Sequence, residues 1–311
     1  MNETNGNSRN KLHGLWALTN RELKKWLKEP ILLVMAVLQP VLWMGLFGKA
    51  MNLGGMFSTS NIDIQNRILP GSALIPAQPG YITISGTVLS QMFADMGSSV
   101  MQNIFGVADY FSYMSVGMIS FIVMFTTMFS GMSMVWDRRL GFLNKVLSTP
   151  VSRGAIIFSK VLNAALRSMF QATIILILAV IFGLQVSSTF NVINILGVYA
   201  AIFLLCAGLS SVFLALALRS TKQETQMAIV NLINLPLMFA SNTFFPISMM
   251  PDWIQAIARV NPISYLTDAL RQLTVLPMDV SLLTIDFAYL CIFAAVFSAI
   301  GITLSWRFLT K

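Results

Sequence analysis

The sequence predicts an all-α membrane protein with six transmembrane helices, and two observations lead to this fold class. First, 56% of the 311 residues are hydrophobic and only 10% are charged, whereas soluble proteins have about 25% charged residues. A chain with so few charges cannot cover a water-facing surface. Second, apolar runs of about 18 residues or more, the length that a helix needs to cross a bilayer, recur along the sequence.

Residues 1–30 precede the first span and are expected to form a cytoplasmic tail and an amphipathic helix. Within residues 11–28, leucines and tryptophans recur at helical spacing, and basic residues occupy the rest of the helix. This pattern is typical of a helix in the membrane interface, with its lysines near anionic lipid. The alternative is an ordinary cytosolic amphipathic helix. The basic residues are Arg21, Lys24, Lys25 and Lys28.

Residues 31–311 form the predicted transmembrane domain. Its spans are residues 31–48, 113–135, 161–183, 193–218, 226–246 and 286–308. Pro40 in the first span and Pro236 in the fifth are expected to kink those helices. Residues 49–112 are interpreted as a long external segment. Their most apolar part, residues 81–105, carries several polar side chains, and a span there would reverse the orientation of everything that follows.

Lysine and arginine are distributed unevenly between the two sides of this arrangement. Sixteen of the 20 fall on one side, and the positive-inside rule places that side in the cytoplasm. Both termini and the loop at residues 137–160 are therefore predicted to be cytoplasmic, in a protein of the plasma membrane. The net charge of +8 is explained by orientation and by contact with membrane lipids. No nucleic-acid partner is expected.

The loop at residues 137–160 combines charges with a short apolar ridge at helical spacing. Thr149 is predicted to cap the next helix, with Pro150 at its first position, where a missing N–H costs nothing. A basic loop that only sets topology would explain the charges. A surface that docks a cytoplasmic partner would also explain the ridge and the turn. The ridge consists of Leu140, Leu143, Val146 and Leu147.

Residues 244–273 predict two short helices before the last span, dipping back into the outer leaflet. Three prolines break the chain, and Asp252 and Asn261 are good N-caps for the two helices. Trp253 suits an interfacial anchor, and Asp268 lies three positions before Arg271, close enough to pair. A simple interfacial linker is the alternative. The prolines are Pro246, Pro251 and Pro262.

Two stripes mark the second and fifth spans. Asparagine facing lipid is costly, so the polar face of the fifth span must meet protein or water. Interhelical hydrogen bonding and a translocation surface both fit. Met124 and Met128 suit either variable ligands or packing, and the small residues Thr127 and Gly131 favour close helix packing. The polar face comprises Asn231, Asn234, Met238, Ser241 and Asn242.

Motifs for catalysis are missing from the sequence. It has no G-x-x-x-x-G-K-[ST], so the chain does not bind ATP through a P-loop. It also lacks H-E-x-x-H, G-x-S-x-G and C-x-x-C, and His13 has no nearby partner for a metal. No carboxylate lies deep within a predicted span, which counts against ion-coupled transport. The chain is therefore not expected to be an enzyme.

The segments "DRRLGFLNKVLSTPVSR" and "FFPISMMPDWIQAIARVNPISYLTDALRQL" resemble the membrane subunits of type-2 ATP-binding-cassette exporters, the group that contains the daunorubicin-resistance permeases. The resemblance covers nearly the whole chain. It implies six spans with an N-terminal elbow helix, a cytoplasmic coupling helix and short external re-entrant helices. It also implies a homodimer that works with two copies of a separate ATP-binding subunit. ATP and magnesium would be held by that subunit, and this chain would carry no cofactor.

The resemblance also assigns roles to residues. Coupling to the ATPase falls on Asp137, Arg138, Arg139, Gly141, Leu143, Leu147, Pro150 and Arg153. The external helices or gate comprise Pro246, Pro251, Trp253, Asn261, Pro262, Tyr265, Asp268 and Arg271. The candidate translocation path comprises Asn231, Asn234, Met238, Asn242, Met124 and Met128.

The predicted function is that of a permease subunit of an ATP-driven exporter. Its cargo would be hydrophobic or amphipathic, such as a drug, a lipid or a glycolipid. A secondary transporter or channel without an ATPase partner is the alternative from another class. A membrane enzyme acting on lipids is a third, against which the missing nucleophile and metal motifs count.

Overall fold

The computed structural model describes residues 3–50, 86–149, 151–220 and 222–309. These residues form helices and short connections, with no strand among them. The α-helices are α1 (Glu3–Leu27), α2 (Pro30–Trp43), α3 (Gly86–Phe105), α4 (Tyr110–Arg139), α5 (Phe142–Leu147), α6 (Arg153–Ile181), α7 (Val192–Arg219), α8 (Gln223–Phe239), α9 (Asp252–Ala258), α10 (Pro262–Thr274) and α11 (Val280–Leu309). A π-helical segment (Met44–Ala50) continues α2, and a 3₁₀ turn (Ile247–Met249) precedes α9.

Four segments of the described chain are long and apolar enough to cross a membrane. The first, Asp95–Arg139, runs from within α3 through α4 and includes the second predicted span. The other three lie on α6, α7 and α11 and correspond to the third, fourth and sixth predicted spans. The first predicted span falls on the shorter apolar helix Leu33–Lys49. The fifth falls on α8, which ends at Phe239, so the predicted end at residue 246 is wrong. The helix stops three residues after Pro236, and the polar residues that follow form turns.

The core of the bundle lies around α7, which packs against α4, α6, α10 and α11. Small residues allow the closest approaches between the backbones of neighbouring helices. A Cβ on Gly131 of α4 would lie 2.7 Å from the carbonyl oxygen of Phe213 on α7. One turn earlier, the Thr127 hydroxyl lies 3.4 Å from the Cys206 thiol. The close packing predicted at Thr127 and Gly131 is therefore confirmed.

Two helices flank this core. α1 packs along α6. Trp26 of α1 is buried against the ring of Phe170 on α6 and is not free on the surface of the helix. α3 lies within the predicted external segment and ends against α4, where the ring of Phe105 contacts the rings of Tyr110 and Tyr113. Residues 51–85 of that segment lie outside the described residues.

Candidate functional site

The predicted coupling region lies between α4 and α6. Gly141 has φ +70, a left-handed conformation that favours glycine, and it turns the chain from the end of α4 into α5. Arg138 and Arg139 are exposed at this turn, and the guanidinium of Arg138 donates a hydrogen bond of 2.5 Å to the carbonyl oxygen of Leu218. That bond ties the end of α4 to the end of α7.

The predicted cap of α6 is wrong by three residues. Ser152, not Thr149, is the N-cap, and its side chain accepts a hydrogen bond of 3.2 Å from the amide of Ala155. The Thr149 hydroxyl instead donates to the carbonyl oxygen of Val146 and so closes the end of α5. Arg153 is the first residue of α6. Pro150 lies outside the described residues.

The apolar ridge is divided between two environments. Leu143 and Val146 are buried against the start of α6, and Leu147 is partly buried beside them. Leu140 is 70% exposed. Three of its four side chains therefore point inward and fix α5 to the bundle, and Leu140 is the member of the ridge left open to a partner. The face of α5 open to a partner carries Asn144, Lys145 and Ser148.

A charge cluster, formed by the buried residues Glu22, Asp137 and Lys160 and the more exposed Arg21, lies next to α5. The Lys160 ammonium donates to Glu22 at 3.0 Å, to Asp137 at 2.5 Å and to the Ser133 hydroxyl at 3.1 Å. Arg21 lies 3.0 Å from Glu22 and 4.0 Å from Asp137. The cluster thus joins α1, the end of α4 and the start of α6.

The helix α5 is also in contact with this cluster. The guanidinium of Arg21 lies 3.4 Å from the centre of the Phe142 ring at the start of α5, a favourable cation–π contact. Displacement of α5 would therefore act directly on Arg21 and on α1. Sequence reasoning singled out Asp137 but missed Glu22 as its neighbour. Glu22 and Lys160 are 138 positions apart, and no spacing rule reaches that far.

At the predicted external end, Arg271 is 1% exposed and bonds to main-chain carbonyl groups. Its guanidinium donates to the oxygens of Asn242 at 2.8 Å, Thr243 at 3.0 Å and Tyr113 at 3.3 Å. The predicted pair between Asp268 and Arg271 is wrong, since no ion pair joins them among the described residues. The carboxylate of Asp268 accepts a hydrogen bond from the Asn242 amide instead.

Close packing makes the position of this arginine specific. A Cβ on Gly117 of α4 would lie 2.1 Å from the carbonyl oxygen of Thr243 and 3.3 Å from the Arg271 guanidinium. Only glycine lets α4 approach this turn so closely. The turn after α8, the first third of α4 and α10 are therefore held together at one point.

The two short helices predicted within residues 244–273 are confirmed as α9 and α10. Asp252 is the first residue of α9, so its prediction as an N-cap is wrong. Asn261 caps α10, as predicted, by accepting from the amide of Ile263 at 2.9 Å. Its side-chain amide also donates to the carbonyl oxygens of Leu237 and Ala240 at the end of α8. Trp253 is 69% exposed. Pro246 and Pro251 directly precede the 3₁₀ turn and α9, and Pro262 is the first residue of α10.

α10 packs into the bundle instead of lying on its surface. Most of its residues are buried, against α4, α7 and α11. Tyr265 is partly buried, and its ring stacks on that of Tyr289 with centroids 3.8 Å apart. The Tyr265 hydroxyl donates to the carbonyl oxygen of Arg259 at 2.7 Å. This helix thereby connects the external turns to α11.

The candidate path residues do not form one surface. Met124 and Met128 are buried in the core of this single chain. Of the two predicted roles, they therefore have the packing role here. Asn234 is buried, and its side-chain oxygen has no hydrogen-bond partner in the described part of the chain. Asn231 is exposed, and Met238 is partly buried. The polar face predicted for the fifth span is shorter than expected, because α8 stops at Phe239. Ser241 and Asn242 therefore lie in the turn that follows the helix.

Comparison with known proteins identifies relatives. A model of the family described as ABC-2 type transporter matches residues 13–275, which include the charge cluster, α5 and Arg271. The transport permease ycf38 of Cyanophora paradoxa is 26% identical over 258 residues, 83% of this chain and 72% of the relative. The daunorubicin resistance ABC transporter permease protein DrrB1 of Streptomyces coeruleorubidus is 25% identical over 165 residues, 53% of this chain and 58% of the relative. The multidrug ABC transporter permease YbhR of Escherichia coli is 28% identical over 162 residues, 50% of this chain and 42% of the relative.

Proposed function

Because the chain belongs to the ABC-2 type transporter family, and is therefore a multi-pass transport permease and not an enzyme, we propose that it exports a hydrophobic or amphipathic cargo. As the membrane subunit of an ABC transporter, it would act with an ATP-binding subunit that holds ATP and magnesium. The names of two relatives refer to daunorubicin resistance and to multidrug transport, which supports this class of cargo. A pair of permease chains with two ATP-binding subunits is the proposed assembly.

The proposed topology has six spans in the plasma membrane and both termini in the cytoplasm. α2 and its π-helical continuation cover Pro30–Ala50, about 30 Å at 1.5 Å per residue, which is enough to cross the hydrocarbon core. α8 supplies the fifth span. α1 is the proposed elbow helix, α5 the coupling helix, and α9 with α10 the re-entrant pair.

The observation that carries the proposal is the environment of α5. Its inner face is held by the start of α6, and the outer face leaves polar side chains free on the end predicted to be cytoplasmic. A push on α5 would reach α1 through the contact between Phe142 and Arg21, and then α6 through Lys160. The charge cluster is thus the proposed link between the ATPase and the membrane helices.

The proposed path lies beside α8. This helix packs loosely against the bundle and exposes Asn231 together with three apolar residues. In the pair of chains, this face would meet the second copy or the cargo, where an asparagine is less costly than in lipid. The apolar residues are Leu232, Leu235 and Phe239.

The test is a charge reversal on the outer face of α5. The chain is purified with candidate ATP-binding subunits from the same genome, and cargo-stimulated ATP hydrolysis is measured. Lys145→Glu is expected to lower both co-purification and stimulated hydrolysis at least fivefold. Arg259→Glu, the same reversal on an exposed residue after α9, is the matched control and should leave both unchanged. Transport that runs on an ion gradient without any ATP-binding subunit would overturn the proposal.

A further inference from the structure

One face of α6 carries polar side chains that α1 crosses at the membrane end of the charge cluster. Lys160, Asn163, Arg167 and Phe170 are spaced three or four residues apart and therefore lie along one face of this helix. Lys160 is fully engaged with carboxylates, as described above. Arg167 lies seven residues further along, about 10 Å deeper into the proposed membrane.

Arg167 has no carboxylate in direct contact within the described part of the chain. It makes no ion pair within 4.0 Å, and its Nε is buried without a hydrogen-bond partner. The side-chain nitrogen of Asn163, one turn earlier, is also buried without a partner. Glu22 and Glu29 act on Arg167 electrostatically, but neither lies within ion-pair distance of it, Glu22 pairs with Lys160 and Glu29 is exposed. A guanidinium within a membrane helix that lacks an anion in direct contact can still take up one.

The surroundings of Arg167 have the polarity of a membrane interface. Its guanidinium lies 5.2 Å from the ring of Trp26 on α1, and the ring of Phe170 meets Trp26 edge-on at 5.6 Å. Phe170 is 46% exposed, so an apolar surface lies directly beside the charge. The last turn of α1 and the residues after it expose three lysines, Lys24, Lys25 and Lys28, beside one acid, Glu29.

We propose that Arg167, at the crossing of α1 and α6, binds the phosphate of an anionic phospholipid in the leaflet that contacts α1. The planar guanidinium matches phosphate oxygens bidentately, and the partly exposed side chain leaves its outer nitrogens accessible for that purpose. The acyl chains would lie against Phe170. The lysines of α1 favour a headgroup of net negative charge over a zwitterionic one. This site is separate from the proposed cargo path at α8.

The test is lipid retention by the purified chain, measured by native mass spectrometry after exchange into mixed micelles. The probes are phosphatidylglycerol and phosphatidylcholine of the same chain length. The wild-type chain is expected to retain phosphatidylglycerol at least tenfold better than phosphatidylcholine. Arg167→Gln should remove at least nine-tenths of this preference. Lys222→Gln, which removes the same charge from an exposed residue before α8, should reduce it by less than twofold.

A second measurement uses the unmodified protein, so its result does not depend on whether a variant folds. Phosphatidylglycerol with a diazirine in its acyl chain is expected to cross-link within residues 163–174. Cross-linking confined to other segments, or equal retention of both lipids, would overturn the proposal. Displacement of the retained lipid by 10-fold molar excess of inorganic phosphate would also overturn it, because the site would then bind a free anion and not a lipid.

Discussion

Removal of Lys160 tests whether the charge cluster holds α1, α4 and α6 together. Lys160 is 5% exposed, and its ammonium lies within 3.0 Å of two carboxylates. Lys160→Met keeps the aliphatic stem and removes the charge, leaving Glu22 and Asp137 buried close to each other. Breaking a buried ion pair by removing one partner costs about 3–5 kcal/mol.

The expected loss lies at the lower end of this range. Arg21 still contacts Glu22, but its side chain is 40% exposed, and a pair with an exposed partner contributes at most about 1 kcal/mol. We expect Lys160→Met to reduce the free energy of unfolding by about 3 kcal/mol. At about 2 °C per kcal/mol for a large chain, the apparent Tm in detergent would fall by about 6 °C.

A rescue variant separates the charge effect from lost packing. Combining Lys160→Met with Glu22→Gln and Asp137→Asn removes all three charges, and an uncharged set should recover about 2 kcal/mol of the loss, because no buried charge is left unpaired. Lys145→Met, an exposed lysine on α5, is the control and should stay within about 0.5 kcal/mol. A single-variant loss below about 1 kcal/mol, or a triple variant less stable than the single one, would refute the reasoning.

Two further predictions concern close packing and helix capping. Gly117→Ala should destabilise the chain by about 1–3 kcal/mol through overpacking. Gly154→Ala is the control: its Cβ would meet nothing within 4 Å, so it should be neutral or slightly stabilising. Similar melting temperatures for the two variants would contradict the close contact at Gly117. Ser152→Ala should cost about 1 kcal/mol as the loss of an N-cap, and Thr149→Ala less than about half of that. Equal losses in urea or thermal unfolding would show that Ser152 does not cap α6.

The parts of the fold that depend on local sequence were predictable. Long apolar runs determine the third and fourth spans, predicted at residues 161–183 and 193–218 and observed as Arg153–Ile181 and Val192–Arg219. The first of these helices begins before the predicted span and ends at Ile181, close to the predicted end, and the second matches its prediction to within one residue at each end. Asn261 was predictable as a cap for the same reason, since a cap depends on the few residues that follow it.

The parts that depend on distant contacts were not predictable from spacing. Asp268 and Arg271 have the separation of a helical ion pair, yet Arg271 bonds to carbonyl groups of α4 and of the turn after α8. The cap of α6 was misplaced because the Thr149 hydroxyl bonds backward into α5. In both cases the residue type indicated a polar contact correctly, but competition among possible partners was decided by the three-dimensional fold.

The hydrogen bonds of Arg271 have a consequence for how this region tolerates substitution. All three acceptors are main-chain oxygens, which every amino acid possesses. Exchanging the side chain of Asn242 or Thr243 therefore leaves these bonds available, whereas inserting or deleting one residue between Phe239 and Thr243 would shift two acceptors at once. For these three bonds the requirement at the predicted external end is thus on the length of the turn and not on its side chains, whereas residue identity is decisive at position 271, which supplies the donors, and at Gly117, which leaves room for them.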